Sequence, residues 1–131
     1  MSLLKTSTGT FTSTGLQTQY TSLSSVPTTV YFSVVGKDGG TSVASSSVGI
    51  ATATTECVSS YGRKLTDSST EERTDRCIHF FKVNTGGSKT TLLSVSFEGF
   101  DTSLIAYGLV GLKYDVHTAN SSYSYLARME D

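Results

Sequence analysis

Apolar and polar residues alternate with a period of two along most of this chain. Between Thr29 and Val35, for example, Val30, Phe32 and Val34 fall on one side of an extended backbone. No window shows the sustained apolar spacing of three and four residues that an amphipathic helix requires. The pattern therefore predicts β-strands and almost no helix.

Glycine-rich turn signals divide this pattern into about eight to ten short strands. We predict strands within 9–22 (two strands), 29–35, 41–44, 48–56, 76–83, 90–97, 104–116 and 122–128. No linker or internal repeat interrupts them, so residues 1–131 are predicted to form one domain. The predicted fold class is all-β, a single-domain antiparallel β-sandwich, of which the jelly roll is one version.

Two predicted strands carry further expectations. The strand 76–83 is apolar on both faces, so we expect it to be central in a sheet and covered on both sides. In 48–56, the small residues Gly49, Ala51 and Ala53 share one face. That face would let another sheet or another subunit approach closely.

Two segments are predicted to contact partners. Residues 1–14 are polar and prone to extended structure, so they are expected to form an N-terminal arm that adds a strand to a partner's sheet. Residues 61–75 are rich in charge and are expected to form one long exposed loop, which is either solvated or paired with a neighbouring subunit. The candidate contact residues are Leu3, Leu4 and Phe11 of the arm and Arg63, Lys64, Glu71, Glu72 and Arg73 of the loop.

Composition excludes several classes of partner. The net charge is −1 and only 16% of residues are charged, so we expect no nucleic-acid binding, which needs clustered basic residues. No apolar run approaches the roughly 18 residues of a membrane span. The start, Met1 to Lys5, is too short for the apolar region of a signal peptide, so synthesis in a cytoplasm is expected.

The two cysteines, Cys57 and Cys77, leave two alternatives open. They are either separate, partly buried thiols, as is usual in cytosolic proteins, or one disulfide that closes the segment between them. Two cysteines alone offer too few ligands for a metal site. No metal and no cofactor is therefore expected.

Few residues suit catalysis. His79 and His117 fall in or beside predicted strands, where a histidine is usually packed in the core or at its rim. Gly86 to Thr90 lacks the spacing and the following helix of a phosphate-binding loop. Glu98 and Asp101 flank a turn, where two carboxylates are usually solvated. We expect no catalytic residues and no enzyme; a small hydrolase would need a pocket that holds a histidine beside a carboxylate.

Four tyrosines crowd the last third of the chain: Tyr107, Tyr114, Tyr123 and Tyr125. If exposed together they would form a platform for stacking on sugars or a contact surface. If buried they would simply fill the core or its rim.

Both ends of the chain resemble small structural proteins encoded by tailed bacteriophages and prophages. The segments that carry the resemblance are Thr8–Gly15, Ser94–Phe100 and Tyr123–Ala127. The resemblance implies a virion protein that is made in the host bacterial cytoplasm and binds the major capsid protein or other virion proteins. For such a protein we expect a homo-oligomer, namely a homotrimer, or else a monomer or dimer held at positions of the capsid lattice. The resemblance assigns no functional residues.

Two functions follow as expectations. The first is a non-enzymatic capsid decoration (cement) protein that stabilises the head by binding only the assembled shell. The alternative is a tail-fibre, tail-tip or lectin-like module that binds a glycan of the host surface.

Overall fold

The computed structural model describes residues 4–36 and 43–131. These residues form ten β-strands and one 3₁₀ turn at Ile105–Tyr107. The strands are β1 (Leu4–Gly9), β2 (Gly15–Ser22), β3 (Val30–Gly36), β4 (Val43–Ala51), β5 (Glu56–Lys64), β6 (Asp67–Arg73), β7 (Ile78–Val83), β8 (Lys89–Asp101), β9 (Leu109–Thr118) and β10 (Tyr125–Glu130). The prediction of an all-β chain is confirmed.

The strands form two antiparallel sheets that pack face to face. One has six strands in the order β1-β10-β3-β4-β5-β6, and the other has four in the order β2-β9-β8-β7. The prediction of an antiparallel β-sandwich is confirmed, while the jelly-roll version of it stays a prediction. Alternating inward residues of both sheets make the core, as the period of two requires.

Phe11 is an anchor of the core, in the crossing between β1 and β2. Its ring is fully buried, stacks on Tyr125 at 4.7 Å between centroids and meets Tyr114 edge-on at 5.2 Å. The prediction of Phe11 as a partner contact is therefore wrong. Burying the Phe11 ring against two other aromatic rings is more favourable than leaving it exposed on an arm, because apolar surface is removed from water.

The predicted N-terminal arm is also wrong over residues 4–14. Leu4 to Gly9 form β1, which pairs with β10 at every position from Leu4–Glu130 to Gly9–Tyr125. The polar backbone of this segment finds its hydrogen-bonding partners within the chain rather than in a partner's sheet. Residues 1–3, including the candidate contact Leu3, lie outside the described residues.

The predicted charged loop 61–75 is mostly a hairpin of β5 and β6. Tyr61–Lys64 ends β5, a turn follows at 65–66, and Asp67–Arg73 pairs with Val58–Lys64. Because β6 carries polar residues on both faces, the apolar alternation that marks a strand is missing. The backbone ladder to β5, rather than apolar burial, makes it a strand.

The strand β7 is an edge strand, so its predicted central position is wrong. The expected cover on both sides is confirmed, because all its side chains except the half-buried Lys82 are buried. Its backbone lies on the inner face of β4 and β5. The His79 amide donates to Ser47 Oγ at 3.0 Å, and Ser60 Oγ donates to the His79 carbonyl oxygen. The expected close approach to the small-residue face of β4 is confirmed, because a Cβ at Gly49 would collide with the Cys77 carbonyl group.

Two predicted strands run through turns. The interval 48–56 contains the end of β4 at Ala51 and the start of β5 at Glu56. The interval 104–116 contains the 3₁₀ turn, which Gly108 ends with a φ of 75° before β9 begins at Leu109. Both boundaries are set by tight turns that the alternating pattern does not reveal.

Candidate partner interface

The outer face of the six-stranded sheet exposes apolar side chains to solvent. Tyr31, Val35 and Val48 are each more than half exposed. We call the central part of this face the outer patch. It consists of Tyr31, Ser33 and Val35 of β3, Ser46, Val48 and Ile50 of β4, Cys57, Ser59 and Tyr61 of β5, and Leu126 of β10.

Backbone register aligns the outer patch in rows across the strands. Tyr31 lies opposite Ile50, which lies opposite Cys57. In the next row Val48 lies opposite Ser33. Because neighbouring strands are roughly 4.8 Å apart, the four strands of the patch make a surface about 14 Å wide across their axes. The patch is therefore continuous rather than a set of scattered apolar residues.

Charged residues surround the outer patch. Arg128 of β10 lies opposite Tyr31, and Glu130 lies further along the same strand. On the opposite flank, Glu72 of β6 lies opposite Ser59, and Arg63 lies at the end of β5. An apolar centre within a charged rim is the usual anatomy of a protein interface.

Two shallow depressions flank Tyr31. One has a volume of about 640 Å³ and is lined by residues of β3 to β6, including Val48 and Cys57. The other has a volume of about 430 Å³ and is lined by residues that include Leu4 and Arg128. The Tyr31 ring thus stands between two concavities into which side chains of a partner would fit.

Three residues predicted as contacts lie on this face. Leu4 lines the smaller depression, Glu72 lines the larger one, and Arg63 is exposed at the rim, where its Nε donates to the Leu65 carbonyl oxygen at 3.1 Å. Lys64 follows on the inner side of β5 and is half-buried. The structure therefore brings Leu4, Arg63 and Glu72 to one face from three different strands, β1, β5 and β6.

Glu71 turns inward to the edge of the other sheet, whereas Arg73 pairs with Glu71 and Asp75 and also lines the larger depression. The Glu71 carboxylate lies 3.0 Å from Lys89 Nζ and 3.4 Å from His79 Nε2. Although partial burial raises it, Lys89 and His79 hold the pKa of Glu71 below its usual value. Arg73 donates twice to Asp75, at 2.8 and 2.9 Å. Both predicted contacts are thus engaged in ion pairs within the chain.

The two cysteines are free thiols in different environments. Cys57 is exposed in the outer patch, whereas Cys77 is fully buried in the core. Burial raises the pKa of the Cys77 thiol well above its usual value. Of the two alternatives, the structure has separate thiols and no disulfide, because the side chains point to opposite sides of the six-stranded sheet.

Glu71, His79 and Ser94 contact one another in the order acid, histidine, serine, which nucleophilic hydrolases use. The His79 Nε2 faces Glu71 and its Nδ1 lies 3.3 Å from Ser94 Oγ. However, His79 and Ser94 are each 4% exposed, and Arg76 Nε donates to Ser94 Oγ at 3.0 Å. A substrate carbonyl would have no approach to that oxygen. The arrangement holds two sheet edges together.

His117 does not form a catalytic relay either. Its Nε2 lies 3.0 Å from Ser96 Oγ and 3.9 Å from Asp115 Oδ2, so one nitrogen faces both groups. A relay needs the two ring nitrogens to face the acid and the hydroxyl separately. Ser96 Oγ also donates to Glu98 Oε1 at 3.0 Å.

The carboxylates around Gly99 are separately engaged. Tyr20 Oη donates to Asp101 at 2.6 Å, which lowers the pKa of Asp101 to about 2. Glu98 accepts from Ser96, as described above. Within 4–36 and 43–131, no three His, Cys, Asp or Glu side chains are grouped as metal ligands.

The four C-terminal tyrosines do not form a platform. Tyr114 and Tyr125 are buried in the core, and Tyr123 is half-buried against Phe80 at 4.8 Å. Tyr107 is 81% exposed, at the 3₁₀ turn. Three of the four rings therefore fill the core or its rim.

Sequence reasoning missed most of the outer patch. The sequence does contain one signal for this patch. Tyr31 and Val35 share one face of a strand whose other face is also apolar. A strand that is apolar on both faces has either two covered sides or one side awaiting a partner. Val48 and Ile50 point outward because the small residues that alternate with them, Ser47, Gly49 and Ala51, occupy the inner face.

Comparison of the chain with family models, curated proteins and solved structures finds no match. No helix in the described part of the chain is long and apolar enough to cross a membrane.

Proposed function

We propose that this chain is a non-enzymatic phage virion structural protein, of the capsid decoration kind, and that it docks on the shell through the outer patch. Its partners on this proposal are the major capsid protein or other virion proteins. The resemblance of both chain ends supports the class of protein. The exposed apolar centre of the outer patch carries the proposal of its docking surface.

The exposed apolar residues of this face are more stable when buried against a partner than when in contact with water. The inner faces of both sheets already pack against each other, so Tyr31, Val35 and Val48 contribute nothing to the sandwich core. Burying apolar surface on a partner gains about 25 cal/mol per Å² before the costs of association. Ser33, Ser46 and Ser59 are small, so a flat partner surface can approach the backbone closely.

Binding of this kind would stabilise a shell by mass action. A protein that binds the assembled shell and not its free subunits shifts the equilibrium towards assembly. Many copies on a symmetric lattice add their individually modest contributions. The glycan-binding alternative has less support, because the tyrosines expected to form its platform are mostly buried.

Cryo-electron microscopy of the native particle tests the location. We expect density for the ten-stranded sandwich on the outside of the head, with its six-stranded sheet towards the shell. Density on the tail, or particles without this chain, would contradict head decoration.

Binding to shells stripped of this protein tests the docking surface. Val48→Asp places a charge in the centre of the outer patch, where its neighbours are serines, so we expect it to abolish co-sedimentation with shells. Tyr107→Asp is the matched control, since it alters an exposed apolar residue away from the patch. Equal binding by both variants would contradict docking through this face.

A further inference from the structure

The four-stranded sheet has one edge without the usual protection against pairing with another chain. Among the described residues, β2 has β9 as its one neighbouring strand. It pairs with β9 at every position from Gly15 to Ser22 and carries no charged side chain and no proline. Exposed edges generally contain charges, prolines or bulges, because their free N–H and C=O groups otherwise recruit a further strand.

The other three edges do have such protection. β6 carries Asp67, Glu71, Glu72 and Arg73 within seven residues. β7 has a register shift between Phe80 and Phe81 and lies against the opposite sheet. β1 is shorter than β2 and carries Lys5. The regular, uncharged edge is therefore particular to β2.

We propose that β2 pairs with β2 of a second copy of this chain, antiparallel, about a two-fold axis at Thr18. The two four-stranded sheets then form one continuous eight-stranded sheet, and the isologous contact closes as a dimer. This goes beyond docking on a shell, because it uses the other sheet and a different partner.

Side chains on the outer face of β2 are complementary to themselves in this register. Leu16 and Tyr20 are 78% and 44% exposed. With the axis at Thr18, Leu16 of each copy lies opposite Tyr20 of the other, and the two Thr18 residues face each other. Aromatic–aliphatic and Thr–Thr cross-strand pairs are both favourable.

The neighbouring register is poorer. With the axis at Gln19, Leu16 would lie opposite Ser22 and Thr18 would lie opposite Tyr20, so neither exposed apolar residue would gain an apolar neighbour. The register at Thr18 instead forms two Leu16–Tyr20 pairs, one on each side of the axis, so each exposed apolar residue gains an apolar neighbour. The absence of charge on β2 also removes the self-repulsion that like charges would cause.

Sedimentation equilibrium of the full chain at micromolar concentrations tests the dimer. We expect twice the chain mass of 13.9 kDa. Thr18→Glu should raise the dissociation constant about tenfold or more, because two carboxylates then face each other across the axis. In its own chain Glu at this position faces Lys113 of β9, which preserves the fold.

Thr70→Glu, the same change on β6, is the matched control and should leave the dimer intact; far-ultraviolet circular dichroism should show both variants folded. A monomer at all concentrations, a mass three times that of the chain, or a dimer equally stable in Thr18→Glu would overturn the proposal.

Cross-linking tests the register. In a Cys57→Ser background, Thr18→Cys places two thiols directly opposite, with Cβ atoms roughly 4.5–5.5 Å apart, near the range of a disulfide. Mild oxidation should link the two copies. Gln19→Cys in the same background should link poorly, and preferential linkage at position 19 would overturn the two-fold axis at Thr18.

Discussion

The carbonyl oxygen of Cys77 occupies the space that a side chain at Gly49 would need. This contact places the residue just before the edge strand β7 against the inner face of β4. Ser47 and Ser60 lie beside it and bond to the backbone of His79. Small residues on β4 and β5 thus allow backbone rather than side chains to close this side of the sandwich.

Gly49→Ala should lower the free energy of unfolding by about 3 kcal/mol, because the added methyl group meets backbone that cannot rotate away. Urea denaturation followed by circular dichroism measures the change. Val48→Ala, the adjacent residue on the exposed face, should change it by only about 0.5 kcal/mol. Similar losses for both variants would contradict the close approach of β7.

The period-two pattern was sufficient to predict most strands and the two-layer fold. Thr29–Val35 is one example, because its apolar face lies in the core and its edges match β3 closely. The same pattern failed for β6, since its residues Glu71 and Arg73 form ion pairs where an alternating strand would place apolar residues.

Tertiary context explains the remaining differences. Nothing in the local pattern around Phe11 distinguishes an exposed arm from a crossing that fills the core, because the partners of its ring, Tyr114 and Tyr125, are more than a hundred residues away. The outer patch was equally hidden, since strand periodicity indicates which residues share a face but not whether that face is covered.

Phe11→Ala should destabilise the protein by about 3 to 5 kcal/mol through loss of buried surface and the cavity that remains. The measurement is again urea denaturation. Leu4→Ala, at an exposed position on β1, is the control and should have a small effect. If Phe11→Ala unfolds at the same urea concentration as the wild type, the ring does not belong to the core.

The thiols should differ sharply in reactivity. Cys57 is exposed, so it should react with a thiol reagent such as Ellman's reagent in the native protein. Cys77 is buried, its Sγ contacts the Val95 carbonyl oxygen at 3.4 Å, and its pKa is raised, so it should react only after unfolding.

Reagent titration therefore should detect one thiol per native chain and two per denatured chain, without prior reduction. Cys57→Ser should remove the native signal, and Cys77→Ser should keep it. An unreduced, denatured chain with no reactive thiol would indicate a disulfide instead.

Acidification should weaken the fold through His79. Burial lowers the pKa of this imidazole below its ordinary value of 6.5, against the opposing effect of Glu71. The folded state therefore binds this proton less readily than the unfolded state. The stabilisation is fully present above pH 6.5 and is lost as the pH falls towards the pKa of the folded state.

His79→Gln tests this assignment, because it keeps a polar side chain but cannot titrate. We expect the free energy of unfolding of the wild type to fall between pH 7.5 and pH 5.5, and that of His79→Gln to fall less. The comparison cancels contributions common to both proteins. One of these is Glu56: burial raises its pKa, so its protonation stabilises the folded state as the pH falls, opposite to the effect of His79. Parallel pH profiles for the wild type and His79→Gln would mean that burial of His79 does not couple its protonation to folding.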